Sequence, residues 1–341
     1  MDLLIAIFTT VFTPGFFASA VVQGMPLLFG SVGEIITEKA GHLNLGIPGI
    51  MYMGAIGGIS GAFLYEKSVE NPVGAVGVII AIICALLFAM AGGLIYSVLT
   101  VTLYANQNVA GLALTTFGVG MGNFFGSSLA RLANTPGQVT AKITSDAFRT
   151  TLSFAEPLIE KGGFIGGICQ MLFSYGFMTY VALIIAVLAS YFLSKTSAGL
   201  SLRAVGESPA TADAAGINVK RYKYLATIIG AAIAGLGGLY FVMDYMSGSW
   251  QNDGFGDRGW LAIALVIFAL WKPLRAIWGS VLFGGLYILA MKVPMPVAMT
   301  KLLGMLPYVV TLAVLIISSF RKKREHQPPQ SLGLPYFREE R

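Results

Sequence analysis

Residues 71–130 contain no Asp, Glu, Lys or Arg, and a water-soluble fold has no use for sixty uncharged residues in succession. Further charge-free runs cover 3–33, 40–65, 162–194, 224–243, 259–271, 276–291 and 302–320. A helix needs about 20 apolar residues to cross about 30 Å of hydrocarbon, so most of these runs are sized for a bilayer. The whole chain is only 11% charged, against about 25% in a typical soluble domain. Cys84 and Cys169 are its only cysteines, which excludes a disulfide scaffold. The chain reads as an all-α, multi-pass membrane protein, with the lipid bilayer as its first partner.

The run 71–130 must hold two helices, and the polar stretch Tyr104-Ala-Asn-Gln-Asn108 is the natural break. Trp271-Lys-Pro-Leu-Arg275 separates two shorter runs. About nine helices follow, at 8–31, 47–65, 73–103, 109–130, 172–194, 223–243, 259–271, 276–292 and 303–320. Alternate loops, with Lys223, carry 14 basic and 7 acidic residues, and the remaining positions carry 8 and 9. The basic side is cytoplasmic, which places the N-terminus outside and the C-terminus inside. The net charge of +6 therefore records orientation and gives no reason to expect a nucleic-acid partner. Residues 1–320 form one transmembrane domain with a cytoplasmic loop at 195–222. Residues 321–341 read as a basic, disordered tail.

The chain lacks a GxxxxGK[ST] phosphate loop and an HExxH motif, and His42 and His326 are its only histidines. No cofactor, catalytic residue or metal site is expected. Glu34, Glu38, Asp244, Asp253 and Asp257 fall near expected helix ends or in loops. A proton relay of the kind carriers use thus finds little support, although a stand-alone carrier or channel remains the rival reading.

Within the 195–222 loop, Glu207-Ser208-Pro209-Ala-Thr-Ala-Asp-Ala-Ala-Gly216 spells a short helix. Ser208 suits the N-cap, Pro209 the first turn and Gly216 the stop. Arg203, Glu207, Ser208, Pro209, Asp213 and Gly216 are the residues expected to meet a cytosolic partner and carry force into the flanking helices. A plain solvated connector is the competing reading. Two Gly-rich interruptions also stand at comparable places: Asn44-Leu-Gly46-Ile-Pro48-Gly49 and Asp253-Gly254-Phe-Gly256-Asp-Arg-Gly259. Helices 1–4 and 6–9 form an inverted four-helix repeat, and paired breaks in such repeats mark a transport path near opposite faces. Candidate path residues are Asn44, Gly46, Pro48, Gly49, Asn106, Gln107, Asn108, Gly254 and Gly256. Phe117 or Phe124 could stack on a base. Close helix packing is the plainer role for the glycines.

Three stretches carry a family resemblance that covers residues from about 10 to 320. "GLSLRAVGESPATADAAGINVKRYKYLA" (199–226) looks like the coupling loop of ABC-importer permeases in the branched-chain amino acid, ribose and nucleoside superfamily. "GEIITEKAGHLNLGIPGIMYMGAIGG" (33–58) is similar to the "SERAGVVNLGIEGMM" signature of the nucleoside and simple-sugar branch. "LYANQNVAGLAL" (103–114) resembles that branch's third signature. Pro48 stands where the family commonly has Glu, and His42 where a small apolar residue is usual. The resemblance implies import of a nucleoside or sugar-type solute, with a simple sugar, vitamin or branched-chain amino acid as alternatives. It also implies a second permease subunit, a cytosolic ATPase that holds ATP and magnesium, and an extracytoplasmic substrate-binding lipoprotein.

Overall fold

The first long helix, α1 (Pro14–Lys39), begins where the Thr13 hydroxyl accepts the Phe16 N–H at 3.2 Å and proline fills the first helical position. The computed structural model describes residues 11, 13–133, 139–151, 156–160, 162–292, 297–321 and 327–337. Of the first expected helix, 8–31, residues 8–10 and 12 lie outside these. At its other end α1 runs past the expected stop at 31, because Glu34 and Glu38 are not loop charges. Both are buried and have partners.

Helices α2 (Ile47–Ser68), α3 (Gly74–Ser97) and α4 (Gln107–Leu132) follow, with a π-helical stretch at Val98–Thr102 closing α3. The break at 103–106 falls where the polar residues put it, and the Asn106 side chain caps α4 by accepting the Val109 N–H at 3.1 Å. Three short helices come next: α5 (Lys142–Phe148), α6 (Glu156–Glu160) and α7 (Gly163–Phe173). Instead of one helix over 172–194, the structure divides that run at Ser174–Gly176, so that α8 spans Phe177–Lys195. Gly176 backs onto the Phe148 carbonyl, where any Cβ would collide.

The remaining helices are α9 (Ser197–Glu207), α10 (Pro209–Ala214), α11 (Val219–Tyr240), α12 (Arg258–Phe268), α13 (Pro273–Lys292), α14 (Val297–Gly304) and α15 (Leu306–Arg321). A second π-helical stretch, Phe241–Tyr245, ends α11. The two-residue strands β1 (Val139–Thr140) and β2 (Ser249–Trp250) pair antiparallel, Val139 opposite Trp250.

Among the described residues, seven helical stretches are long and apolar enough to cross a membrane: 14–39, 47–68, 74–102, 107–132, 177–195, 219–245 and 298–317. The sixth spans α11 with its π turn, and the seventh spans α14 with α15. Two further expected crossings, α12 and α13, fall outside these seven. At 1.5 Å per residue α12 covers about 16 Å, roughly half of a hydrocarbon core.

Helices α1, α2 and α11 form the centre, whereas α3 and α8 turn Ile79, Ile83, Leu87, Ile184 and Val187 outward. Lipid gives such side chains no reason to hide, so the helices are held by close packing of small residues. Gly54 of α2 and Gly235 of α11 meet backbone to backbone, and a Cβ on Gly54 would overlap Gly235. Trp250 and Trp271 are buried in the core.

Candidate functional site

The turn 40–46 between α1 and α2 is fastened from every side. The Glu34 carboxylate accepts the Asn44 N–H at 2.9 Å, and the Asn44 side-chain oxygen accepts the Gly46 N–H at 2.9 Å. Tyr96 of α3 donates its hydroxyl to the Leu43 carbonyl at 2.6 Å, and Thr115 of α4 donates to the Leu45 carbonyl at 2.8 Å. The Gln107 side-chain oxygen accepts the Leu43 N–H at 2.8 Å. Trp271, from the turn between α12 and α13, donates its indole N–H to Glu38. Backbone groups freed by a turn within or near lipid need such partners, and here side chains of three other segments supply them.

His42 sits in the same turn. Its Nδ1 lies 3.1 Å from the Thr227 hydroxyl oxygen, and Thr227 gives its own proton to the Lys223 carbonyl at 2.9 Å. A hydroxyl has one proton to donate, so Nδ1 carries the hydrogen toward Thr227. Burial first, and the Lys223 charge second, hold the imidazole well below its ordinary pKa. The ring is neutral and stacks edge-on against Tyr96.

The first interruption is thus a tightly packed joint. Asn44, Gly46, Pro48 and Gly49 are buried or nearly so. Gly49 and Gly118 of α4 pack face to face, and a Cβ on either would strike backbone. The second interruption is fastened to the other end of α4: Asn123 donates to the Asp253 carboxylate at 2.8 Å, and Asn252 donates to the Ser127 hydroxyl at 2.8 Å. Gly254 is half-buried, and Gly256 is exposed with a φ of +55°. Gly118 and Ser127 lie about 14 Å apart along the α4 axis. The inner ends of the interruptions nevertheless touch, because a Cβ on Gly259 would overlap Pro48. The N-termini of α2 and α12 therefore meet inside the helix bundle. Of the other candidate path residues, Gln107 joins the 40–46 turn, while Asn106 and Asn108 are exposed at the start of α4. Phe117 and Phe124 face outward.

The short helix of the 195–222 loop is present as α10. Pro209 opens it, the Ser208 hydroxyl lies 2.7 Å from that of Thr211, and Gly216 closes it with a φ of +83°. Glu207 and Arg203 are exposed on α9, and Asp213 is partly buried on α10. Gly206 packs directly against the Lys39 carbonyl and the Gly41 amide, so α9 and α10 rest on the far end of α1.

Residues 327–337, expected as disordered tail, cross this surface. Ser331 donates both its N–H (3.1 Å) and its hydroxyl (2.6 Å) to the Gly206 carbonyl. The Gly333 N–H donates to Gly41, Gln107 donates to the Leu334 carbonyl, and the Tyr336 hydroxyl donates to Asp213 at 2.8 Å. Phe337 stacks on Tyr104 with ring centroids 4.7 Å apart, and Lys220 lies over the same Tyr104 ring. The pattern of short polar and aromatic residues gave no periodic signal, since the strap has no repeating structure. Residues 322–326 and 338–341, including His326, lie outside the described residues. Two cavities flank the strap. One of about 610 Å³ lies between Tyr104, Asp213, Lys220 and Tyr336, and one of about 590 Å³ is edged by Lys39, Arg203, Lys272 and Arg275.

No group of His, Cys, Asp and Glu side chains among the described residues could hold a metal ion. Residues 16–318 match the model of the branched-chain amino acid transport system permease component family. A putative glucose ABC transporter permease of Haloferax volcanii is 34% identical over 80% of this chain and 76% of its own length. The nucleoside ABC transporter permease NupC of Lactococcus lactis is 28% identical over 88% of this chain and 90% of its own. The guanosine ABC transporter permease NupQ of Bacillus subtilis is 25% identical over 95% and 96%. The chain belongs to this permease family and is a multi-pass protein of the cytoplasmic membrane.

Proposed function

We propose that this member of the branched-chain amino acid transport permease family is the transmembrane subunit of an ATP-driven ABC importer for nucleosides or related sugar-type solutes. Relatives named for a nucleoside, for guanosine and for glucose support that solute class. The observation that carries the mechanism is the seating of α9 and α10 on the 39–41 backbone through Gly206.

In this reading the chain crosses the membrane nine times with an inverted repeat, α10 lies in the cytoplasm, and the N-terminus lies outside. A separate cytosolic ATPase grips α9 and α10 at Arg203, Glu207, Ser208, Pro209, Asp213 and Gly216, and the Lys39–Arg203–Lys272–Arg275 groove borders that grip. Closure of the ATPases on ATP and magnesium pushes α10, and Gly206 passes the displacement to the end of α1. The 40–46 turn, fastened to α3 and α4, then moves as a block against the meeting point of Pro48 and Gly259. That contact between two helix N-termini supports the reading of Asn44, Gly46, Pro48, Gly49, Gly254 and Gly256 as hinges or lining of the path. Contact alone does no work, so the two nucleotide states must favour different positions of this block. Gln107 anchors the block to α4, and Asn106 and Asn108, exposed at the start of α4, complete the set of path residues. A second permease subunit completes the path, and an extracytoplasmic binding lipoprotein delivers the solute.

One observation favours a second reading. Glu34 and Glu38 are buried carboxylates on α1, the residue type on which proton-coupled carriers rely. A carrier would move solute with no ATPase present. Whole-cell uptake of labelled guanosine and glucose, with the permease gene deleted and restored, tests the proposal. Loss and recovery of uptake of at least one solute is the expected result, and unchanged uptake of both would contradict it.

A further inference from the structure

Arg258, the first residue of α12, is a buried cation caged by aromatic rings. Its guanidinium carbon lies 4.5 Å from the Phe241 ring centre, 5.3 Å from Tyr245 and 4.8 Å from Tyr287. One terminal nitrogen donates to the Phe255 carbonyl at 2.9 Å and the other to the Gln23 side-chain oxygen at 3.4 Å. That second bond fixes the Gln23 amide with its oxygen toward Arg258, so its NH₂ faces the other way. The NH₂ is buried and has no partner. An unpaired buried donor is costly, and few occur without a reason.

A cavity of about 260 Å³ opens beside it, bounded by Ser19, Val22, Gln23, Ser174, Tyr175 and Tyr245. Lys292 reaches its edge and donates to the Ser19 hydroxyl at 2.9 Å. The surroundings are those in which irregular helix is tolerated for function: a π-helical turn at 241–245, the N-terminus of a half-length helix, and the α7–α8 break at Ser174–Gly176. Gln23 lies about 14 Å along α1 from Pro14, well inside the bundle.

We infer that this cavity is a solute subsite for the base end of a nucleoside. Tyr175 and Tyr245 line the cavity, and the Gln23 amide donates to a base carbonyl, with Lys292 and Ser19 at the rim. Arg258 is a positioning residue, since its terminal nitrogen holds the Gln23 oxygen and so orients the amide. A ring carbonyl, such as O6 of guanine or O4 of uracil, is the acceptor that the Gln23 amide lacks. The inference rests on the importer reading and narrows its solute class.

The test is thiol labelling of the complete transporter in membranes, with Cys84 and Cys169 replaced by Ala and Ser19→Cys introduced. A charged methanethiosulfonate reagent is expected to modify Ser19→Cys, and millimolar guanosine to slow modification about threefold or more as the site fills. Ribose and glucose are expected to leave the rate unchanged. Adding Gln23→Glu, which keeps a partner for Arg258 but removes the donor, is expected to abolish protection while labelling persists. Absent labelling, no protection by guanosine, or equal protection by ribose or glucose would each overturn the subsite. Guanosine uptake by wild-type cells is measured beside it: its absence counts against the importer reading, whereas labelling reports on the subsite alone.

Discussion

Gly206 lies against the carbonyl of Lys39 so closely that a single Cβ on it would overlap that oxygen. The loop expected to meet an outside partner is therefore in backbone contact with the end of the central helix α1. No flexible linker separates them.

Replacing Gly206 by Val is expected to force this joint apart. Solute uptake should fall by about tenfold or more, as an overpacked contact of this kind costs about 1–3 kcal/mol. Immunoblots of membrane fractions should show near-normal amounts of protein. Uptake at the wild-type rate would show that the contact carries no force.

Gly216 makes a second, conformational case. Its φ of +83° is closed to proline, whose ring fixes φ near −65°. Gly216→Pro is expected to abolish uptake while the protein still reaches the membrane. Gly216→Asn, which tolerates left-handed backbone, should retain most of it. Charge reversal at Arg203 is expected to match Gly216→Pro.

Much of this arrangement was legible in the residues. Ser208-Pro209 and Gly216 bounded α10, and the polar stretch 104–108 marked the break before α4. The strap at 327–337 was not legible, because its partners are the Gly206 and Gly41 backbones, and no side-chain pattern records a backbone acceptor 125 residues away. Glu34 and Glu38 were misread for a related reason. A charge suggests a loop unless its partner is known, and those partners, the Asn44 amide and the Trp271 indole, are defined only by the fold. Arg258 likewise looked like a helix boundary, and only packing gave it three aromatic neighbours.

The strap should be worth measuring directly. Ser331→Ala removes one of two bonds to Gly206, and about 1 kcal/mol of stability is expected to go with it. Tyr336→Phe is expected to act similarly through Asp213. Hydrogen exchange at residues 206–216 should quicken in both variants, and an unchanged exchange rate would separate the strap from α10.

Glu34→Ala leaves the buried Asn44 N–H without an acceptor, a loss of about 1–3 kcal/mol. Glu34→Gln keeps an acceptor and should cost less. Thermal melts of the purified protein in detergent check the order wild type, then Gln, then Ala.

His42 is held neutral in the fold, while the unfolded chain titrates it near its ordinary pKa of about 6.5. Below that pH the unfolded state binds the extra proton, so stability present at pH 8 is lost as pH falls through about 6.5. The melting temperature of wild type should therefore drop between pH 7 and pH 5 more than that of His42→Gln. A matching drop in both would remove His42 from the pH dependence.

The central claim is that force for transport enters through α10 from another chain. Proteoliposomes holding the permease subunits and binding protein, with and without the ATPase, measure this most directly through ATP-dependent uptake of labelled guanosine. Uptake only when the ATPase is present, and lost in Gly216→Pro, is the predicted result. Equal uptake without the ATPase would contradict it.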